Sequence, residues 1–205
     1  MSLSESDVQK TVLDVLPEEV VMKGKIFQVE KNTYLFHCGE CIDRLYFVMN
    51  GELRAIRHQL GGQKSIMMRA NGGEFFAAAS LCLNNFPCDG FAPIKTRLWS
   101  ISKIEFYQLL ETSSELGKQF ALALSKELKK QCGRLERLRL PTAREKILHF
   151  ISCETADGFQ IELETSLSVW ADELGVAPES LYRTLAEMEK AGEIERNRRF
   201  IRVLA

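Results

Sequence analysis

The chain has 205 residues, 45% hydrophobic and 27% charged, with a formal net charge of −1. That is enough for one or two domains with a buried core, and so small a net charge selects no partner class. No apolar run approaches the roughly 20 residues of a membrane helix. The opening MSLSESDVQK lacks the basic start and apolar stretch of an export signal, so the expectation is a cytoplasmic protein with no membrane partner.

From residue 26 to about 102 the chain reads as β-structure. Short runs rich in β formers include Tyr34-Leu35-Phe36, Leu45-Tyr46-Phe47-Val48, Leu53-Arg54-Ala55-Ile56 and Leu98-Trp99-Ser100-Ile101. Glycines punctuate them at Gly39, Gly51, Gly61-Gly62 and Gly72-Gly73. Strands at this spacing predict a sandwich or barrel. Residues 105–110 then read as a short helix, and residues 114–138 as a long one. Leu116, Phe120, Leu124, Leu128, Leu135 and Leu138 recur at spacings of three, four and seven, which puts them on one stripe. A narrow stripe on so long a helix predicts pairing with a second copy; the alternative is that it covers the β-domain. The dimer-interface residues expected are Leu116, Phe120, Leu124, Leu128 and Leu135. Lys126, Lys129, Lys130, Arg134 and Arg137 lie on the outer face.

Pro141 pushes Leu140 out of the helical region, so Leu140/Pro141 is the expected domain boundary and hinge. Thr142 and Glu145 have capping-box spacing, and Ile147, Leu148 and Ile151 follow at helical intervals. Leu167, Trp170, Ala171 and Leu174 form one face of the next helix, which Gly175 can end. Pro178 suits the first position of another helix, with Leu181, Leu185 and Met188 as its buried face and Gly192 at its end. Residues 193–203 read as a hairpin turning near Asn197. Two short helices joined by a tight turn, then a hairpin, make a winged helix-turn-helix. Opposite the buried face lie Glu179, Arg183, Ala186 and Lys190, flanked by Ser180 and Tyr182. Arg can donate two hydrogen bonds to guanine, and Glu can accept from the cytosine amino group.

Residues 141–205 hold eight Lys/Arg against twelve Asp/Glu, about −4, which disfavours phosphate neutralisation by the domain as a whole. The basic residues are clustered, however. Arg196, Arg198, Arg199 and Arg202 share the hairpin, while Lys129, Lys130, Arg134, Arg137, Arg139 and Arg144 surround the hinge. Weak non-specific DNA binding is the expectation.

GECIDRLYFVMNGELRAIR (residues 39–57), GGEFFAAASL (residues 72–81), the long helix and LGVAPESLYRTLAEMEKAGEI (residues 174–194) occur in that order. In this the chain resembles, over nearly its whole length, the Crp/Fnr superfamily of bacterial transcription regulators. The resemblance implies an α+β chain in three parts. Residues 1–112 would be a double-stranded β-helix (jelly roll) of cyclic-nucleotide-binding type that senses an effector. Residues 113–140 would be the dimerisation helix, and residues 141–205 a winged helix-turn-helix. The implied partners are a second copy of the chain, double-stranded DNA with a palindromic site, a small-molecule effector, and RNA polymerase if the protein activates. No catalytic residues are implied. Glu179 and Arg183 match the family's base-reading Glu and Arg; Tyr182 stands where a small residue is usual, and Ala177 replaces the usual Ser/Thr cap. The DNA-binding set is Glu179, Ser180, Tyr182, Arg183 and Lys190, with Arg198 and Arg199 in the hairpin.

The family's phosphate cassette corresponds to EFFAAASLCLNNFPCDGFAP (residues 74–93). Ala77-Ala78-Ala79 stands where the acidic motif belongs, and Cys88-Asp89 lies near the place of the phosphate-binding Arg. An Asp there repels phosphate, so cyclic nucleotides are not expected and the cofactor or effector is unassigned. The candidate effector pocket is Glu74, Phe75, Ala77, Ala78, Ser80, Leu81, Cys88 and Asp89.

Six cysteines (Cys38, Cys41, Cys82, Cys88, Cys132 and Cys153) are expected as thiols in a cytosolic chain. HCGEC (residues 37–41) opens one alternative, a redox pair or half a zinc site at Cys38 and Cys41. A cupin-like metal enzyme is the other, although the sequence has no closely spaced His pair. The assigned set therefore contains no metal ligands.

Overall fold

The computed structural model describes residues 16–58, 64–155, 158–162, 166–197 and 200–204. A short helix α1 (Glu18–Val21) leads into eight strands: β1 (Lys25–Val29), β2 (Thr33–Phe36), β3 (Arg44–Asn50), β4 (Glu52–His58), β5 (Lys64–Asn71), β6 (Glu74–Phe76), β7 (Asp89–Ala92) and β8 (Thr96–Ser102). They form two four-stranded sheets, ordered β1-β8-β3-β6 and β2-β7-β4-β5, and every pairing is antiparallel. This is the expected β-sandwich of jelly-roll type.

Strand β3 shows why the first sheet is so apolar. Alternate residues of a strand face opposite ways. Tyr46 and Val48 enter the core between the sheets, with Phe36, Leu53, Ala55, Phe76, Phe86 and Leu98. Leu45, Phe47 and Met49 enter a second core on the other face, with Val20, Val21, Trp99, Ile101, Phe106 and Phe120. Both faces are buried, so LYFVM is a continuous apolar run instead of an alternating one. Helices supply the outer cover: α1, α2 (Lys103–Thr112) and the start of α3 (Ser114–Arg139). Ser102 caps α2 by accepting from the Glu105 N–H at 3.3 Å.

Helix α3 runs for 26 residues, about 39 Å at 1.5 Å per residue. Here the structure corrects the pairing stripe. Leu116 and Phe120 are buried in this chain's own outer core, where Phe120 meets Phe75 and Phe106 edge-on. Leu124, Leu128 and Leu135 are exposed. The stripe is therefore buried within this chain at its start and exposed beyond it.

The chain packs as two units, Met1–Ser125 and Lys126–Ala205. The division falls within α3, whereas the expectation gave this helix a segment of its own and set the hinge at Leu140/Pro141. Residues 126–139 group with the C-terminal unit because Arg137 is buried over the Phe150 ring, at 4.7 Å, and Glu136 pairs with His149 at 3.0 Å.

The C-terminal unit contains α4 (Ala143–Glu154), β9 (Gln160–Glu162), α5 (Leu167–Leu174), α6 (Pro178–Lys190), β10 (Ile194–Arg196) and β11 (Phe200–Val203). Thr142 and Glu145 form the capping box at the start of α4. Ile147, Ile151, Trp170, Leu174, Leu181, Leu185, Met188, Ile194 and Ile201 make one core. The hairpin gains a strand that was not expected: the wing is a three-stranded sheet, β10-β11-β9.

Candidate nucleic-acid interface

The helix-turn-helix is built around two helix ends. Ser166 caps α5 by accepting from the Val169 N–H, and Gly175 ends α5 in the left-handed conformation, φ 65°, where a residue without Cβ has no steric penalty. Helix α6 then begins with no side-chain cap at Ala177 and with Pro178 in its first turn, so its leading N–H groups point outward without a local acceptor. Leu181, Leu185 and Met188 bury one face of α6. That burial turns Glu179, Tyr182, Arg183, Ala186 and Lys190 to the surface, with Ser180 half-buried beside them.

A groove of about 470 Å³ runs along this face, bounded by Thr142, Arg144, Ser180, Arg183, Thr184 and Glu187 among others. Arg144 and Thr184 were not in the expected reading set. Arg144 joins it through the packing of α4 on α6, which local sequence does not reveal. Carboxylates engage several basic groups of the unit: Arg144–Glu193 and Arg196–Glu189, both at 2.8 Å, and Arg202–Glu195 at 3.8 Å. The hydrogen bond to Glu193 holds the Arg144 guanidinium even further above its ordinary pKa. Lys190 lies at the far end of α6 from Glu179. Arg198 and Arg199 lie outside the described residues.

The expected effector residues do not surround one pocket. Phe75 and Leu81 enter the outer core, and Ala78 packs against it, while Ala77 and Cys88 pack against the core between the sheets. Ser80 is buried in a 3-10 helix (Ala78–Cys82) that follows Ala77, itself left-handed at φ 59°. Glu74 accepts from the Asn71 N–H at 2.8 Å. Asp89 is nearly buried and accepts from the Cys38 N–H at 2.8 Å, with His58 at 3.2 Å and His37 at 3.5 Å. The spread follows from the local backbone: Phe75 belongs to β6, Ala77 is left-handed, and Ser80 and Leu81 belong to the 3-10 helix, so the cassette divides between the two cores. Between the sheets, Phe36 stacks on Phe86 with centroids 3.5 Å apart. Gly90 admits that ring, since a Cβ there would come within 2.7 Å of it.

Cys38 and Cys41 are both exposed, on either side of Gly39. Among the described residues, no group of three or more His, Cys, Asp or Glu side chains is placed to hold a metal ion. His37 and His58 are exposed rather than turned inward, so neither offers the convergent interior ligands of the cupin-like alternative. No helix among the described residues is long and apolar enough to cross a membrane.

Residues 26–113 match the family described as cyclic nucleotide-binding domain, and residues 133–205 match the Crp-like helix-turn-helix domain. No curated protein matches the sequence. Several solved structures share the fold. A variant of CooA from Carboxydothermus hydrogenoformans superposes with a TM-score of 0.74 at 16% identity, covering 98% of this chain and 93% of that one. FixK2 from Bradyrhizobium japonicum gives 0.69 at 18% identity, covering 89% and 93%. CLP from Xanthomonas campestris, a global regulator responsive to c-di-GMP, gives 0.66 at 18% identity, covering 96% and 99%.

Proposed function

Since the chain belongs to the Crp/Fnr superfamily of DNA-binding transcription regulators, we propose that it works as a homodimer, reading a palindromic site with the N-terminal end of α6 under the control of a signal received by the β-domain. The observation that carries this is the division of α6 into a buried Leu181/Leu185/Met188 face and an exposed Glu179/Arg183 face. Glu179 and Arg183 read base edges, Ser180 and Tyr182 shape the contact, and Lys190, Arg198 and Arg199 hold phosphates. Two-fold symmetry sets the half-sites one helical turn apart, about 34–36 Å.

The test is selection of binding sites from random DNA, followed by titration of Arg183→Ala and Arg199→Ala at several salt concentrations. Losing a bidentate Arg183–guanine contact costs about 1–3 kcal/mol and relaxes one position of each half-site. Losing Arg199 weakens all sequences alike and lowers the salt slope by about one. A selected site without two-fold symmetry, or unchanged base preference in Arg183→Ala, overturns this assignment of the reading head.

The signal on this reading is not a cyclic nucleotide. Supporting it are Ala77-Ala78-Ala79 in place of an acidic motif, Asp89 near the expected phosphate-binding position, and the Phe36–Phe86 stack between the sheets. Calorimetry with cyclic AMP and cyclic GMP is expected to show no binding below millimolar concentration; micromolar affinity for either refutes it.

A further inference from the structure

Cys38 donates its N–H to Asp89, the residue that follows Cys88. Strands β2 and β7 pair Phe36 with Gly90, and five residues further along each segment an isolated bridge pairs Cys41 with Asn85. Between these pairings the ladder is broken: the Glu40 N–H donates back to the His37 carbonyl at 3.1 Å and Phe86 meets both Gly39 and Glu40, so Cys38 and Cys88 lie on turns of two neighbouring segments. Hydrogen bonds hold this stretch closed. The Cys38 N–H donates to Asp89 Oδ1 at 2.8 Å, the Gly39 N–H to the Phe86 carbonyl at 2.9 Å, and the Phe86 N–H to the Glu40 carbonyl at 2.9 Å. Cys38 is exposed and Cys88 half-buried against the core between the sheets.

We propose that Cys38 and Cys88 form an oxidation site, at which a hydroperoxide converts the two thiols into an intrachain disulfide. Exposure orders the steps. The Cys38 thiolate attacks the terminal oxygen of the hydroperoxide; an S–O bond forms, the O–O bond breaks, and the alcohol or water leaves after taking a proton. Cys88, as thiolate, then attacks the Cys38 sulfenic sulfur; the S–S bond forms and the hydroxyl departs as water with a second proton. Two thiols lose two electrons and two protons, and the hydroperoxide is reduced by the same two electrons. Burial is the main cause that pushes the Cys88 thiol pKa up, and the neighbouring Cys38 adds to it, which lowers its thiolate fraction and disfavours Cys88 as the first thiol to attack. The bond would cross-link the two segments that carry Phe36 and Phe86, two residues from each ring.

The full-length reduced protein is treated with hydrogen peroxide, alkylated, digested without reductant and mapped by fragment mass spectrometry. The expected product is a Cys38–Cys88 cross-link whose yield does not depend on protein concentration and which dithiothreitol reverses. Titratable thiols fall from six to four per chain. The cross-link persists in Cys41→Ser and Cys82→Ser and is lost in Cys38→Ser and Cys88→Ser. The wild-type thiol count needs no variant, so an unstable variant leaves the test intact. Cross-links of Cys38 to Cys41 or Cys82 to Cys88, disulfides only between chains, or over-oxidation with no cross-link each overturn the proposal.

Discussion

Tyr46 stands between the two sheets with its phenol pushed up to about 12, chiefly by burial and next by the Asp43 charge. The folded protein therefore holds the proton more tightly than the unfolded chain, whose tyrosine titrates near 10. Tyr46 contributes its full stability below pH 10 and loses it as the pH rises from 10 through about 12, roughly 2–3 kcal/mol over that window. Urea unfolding of the wild type should weaken more steeply than that of Tyr46→Phe across this range and match its slope below pH 9. Parallel curves throughout would mean that the phenol is not desolvated. Arg144 shows the opposite situation. It is an exposed guanidinium whose ion pair with Glu193 adds little stability and matters for what it leaves available to a phosphate.

Helix starts and stops were the most legible elements. Thr142→Ala removes the hydroxyl that accepts from the Glu145 N–H at 3.2 Å and donates to the Glu145 carboxylate at 2.7 Å, and keeps the backbone N–H that donates to Glu145; it should lower stability by about 0.5–2 kcal/mol, read as a shift of the urea midpoint without a change of slope. The capping box, the left-handed Gly175 and the length of α5 could all be read in the sequence because each depends on residues within one turn. Whatever depends on which distant surface arrives could not. Periodicity says that Leu116, Phe120 and Leu128 share a face, but not that the first two meet the outer face of the first sheet. Phe120→Ala should therefore destabilise the β-domain by about 3–5 kcal/mol, visible in chemical unfolding; a monomeric but equally stable variant would contradict this. Strand β9 escaped notice because three residues carry too little alternation to register. The cassette residues were read as one pocket from their correspondence with the family's phosphate cassette, yet Phe75 and Leu81 enter one core while Ala77 and Cys88 pack against the other. The nearness of Cys38 to the segment carrying Cys88 and Asp89 depends on a long-range contact, which HCGEC alone does not disclose.

At the scale of the whole molecule, the exposed part of α3 is the surface on which the proposed homodimer rests. Leu128 and Leu135 are 65% and 62% exposed, a large apolar display for a helix with no partner. Leu128→Glu and Leu135→Glu should each shift sedimentation from dimer to monomer while the unfolding midpoint of the β-domain stays in place. If both remain dimeric, another surface joins the copies. Charge on the C-terminal unit follows a similar logic of prior occupation. Arg144, Arg196 and Arg202 each already have a carboxylate beside them: Glu193, Glu189 and Glu195. These glutamates are resident counterions. Salt dependence in DNA binding comes from small ions released to bulk; a phosphate that displaces a tethered carboxylate releases none from that arginine. The protein should therefore bind DNA with a shallower salt slope than its count of basic residues suggests. Replacing Glu189 and Glu193 by Gln should steepen that slope and raise affinity for every sequence alike, so that the wild type gives up overall affinity and keeps its discrimination between sites.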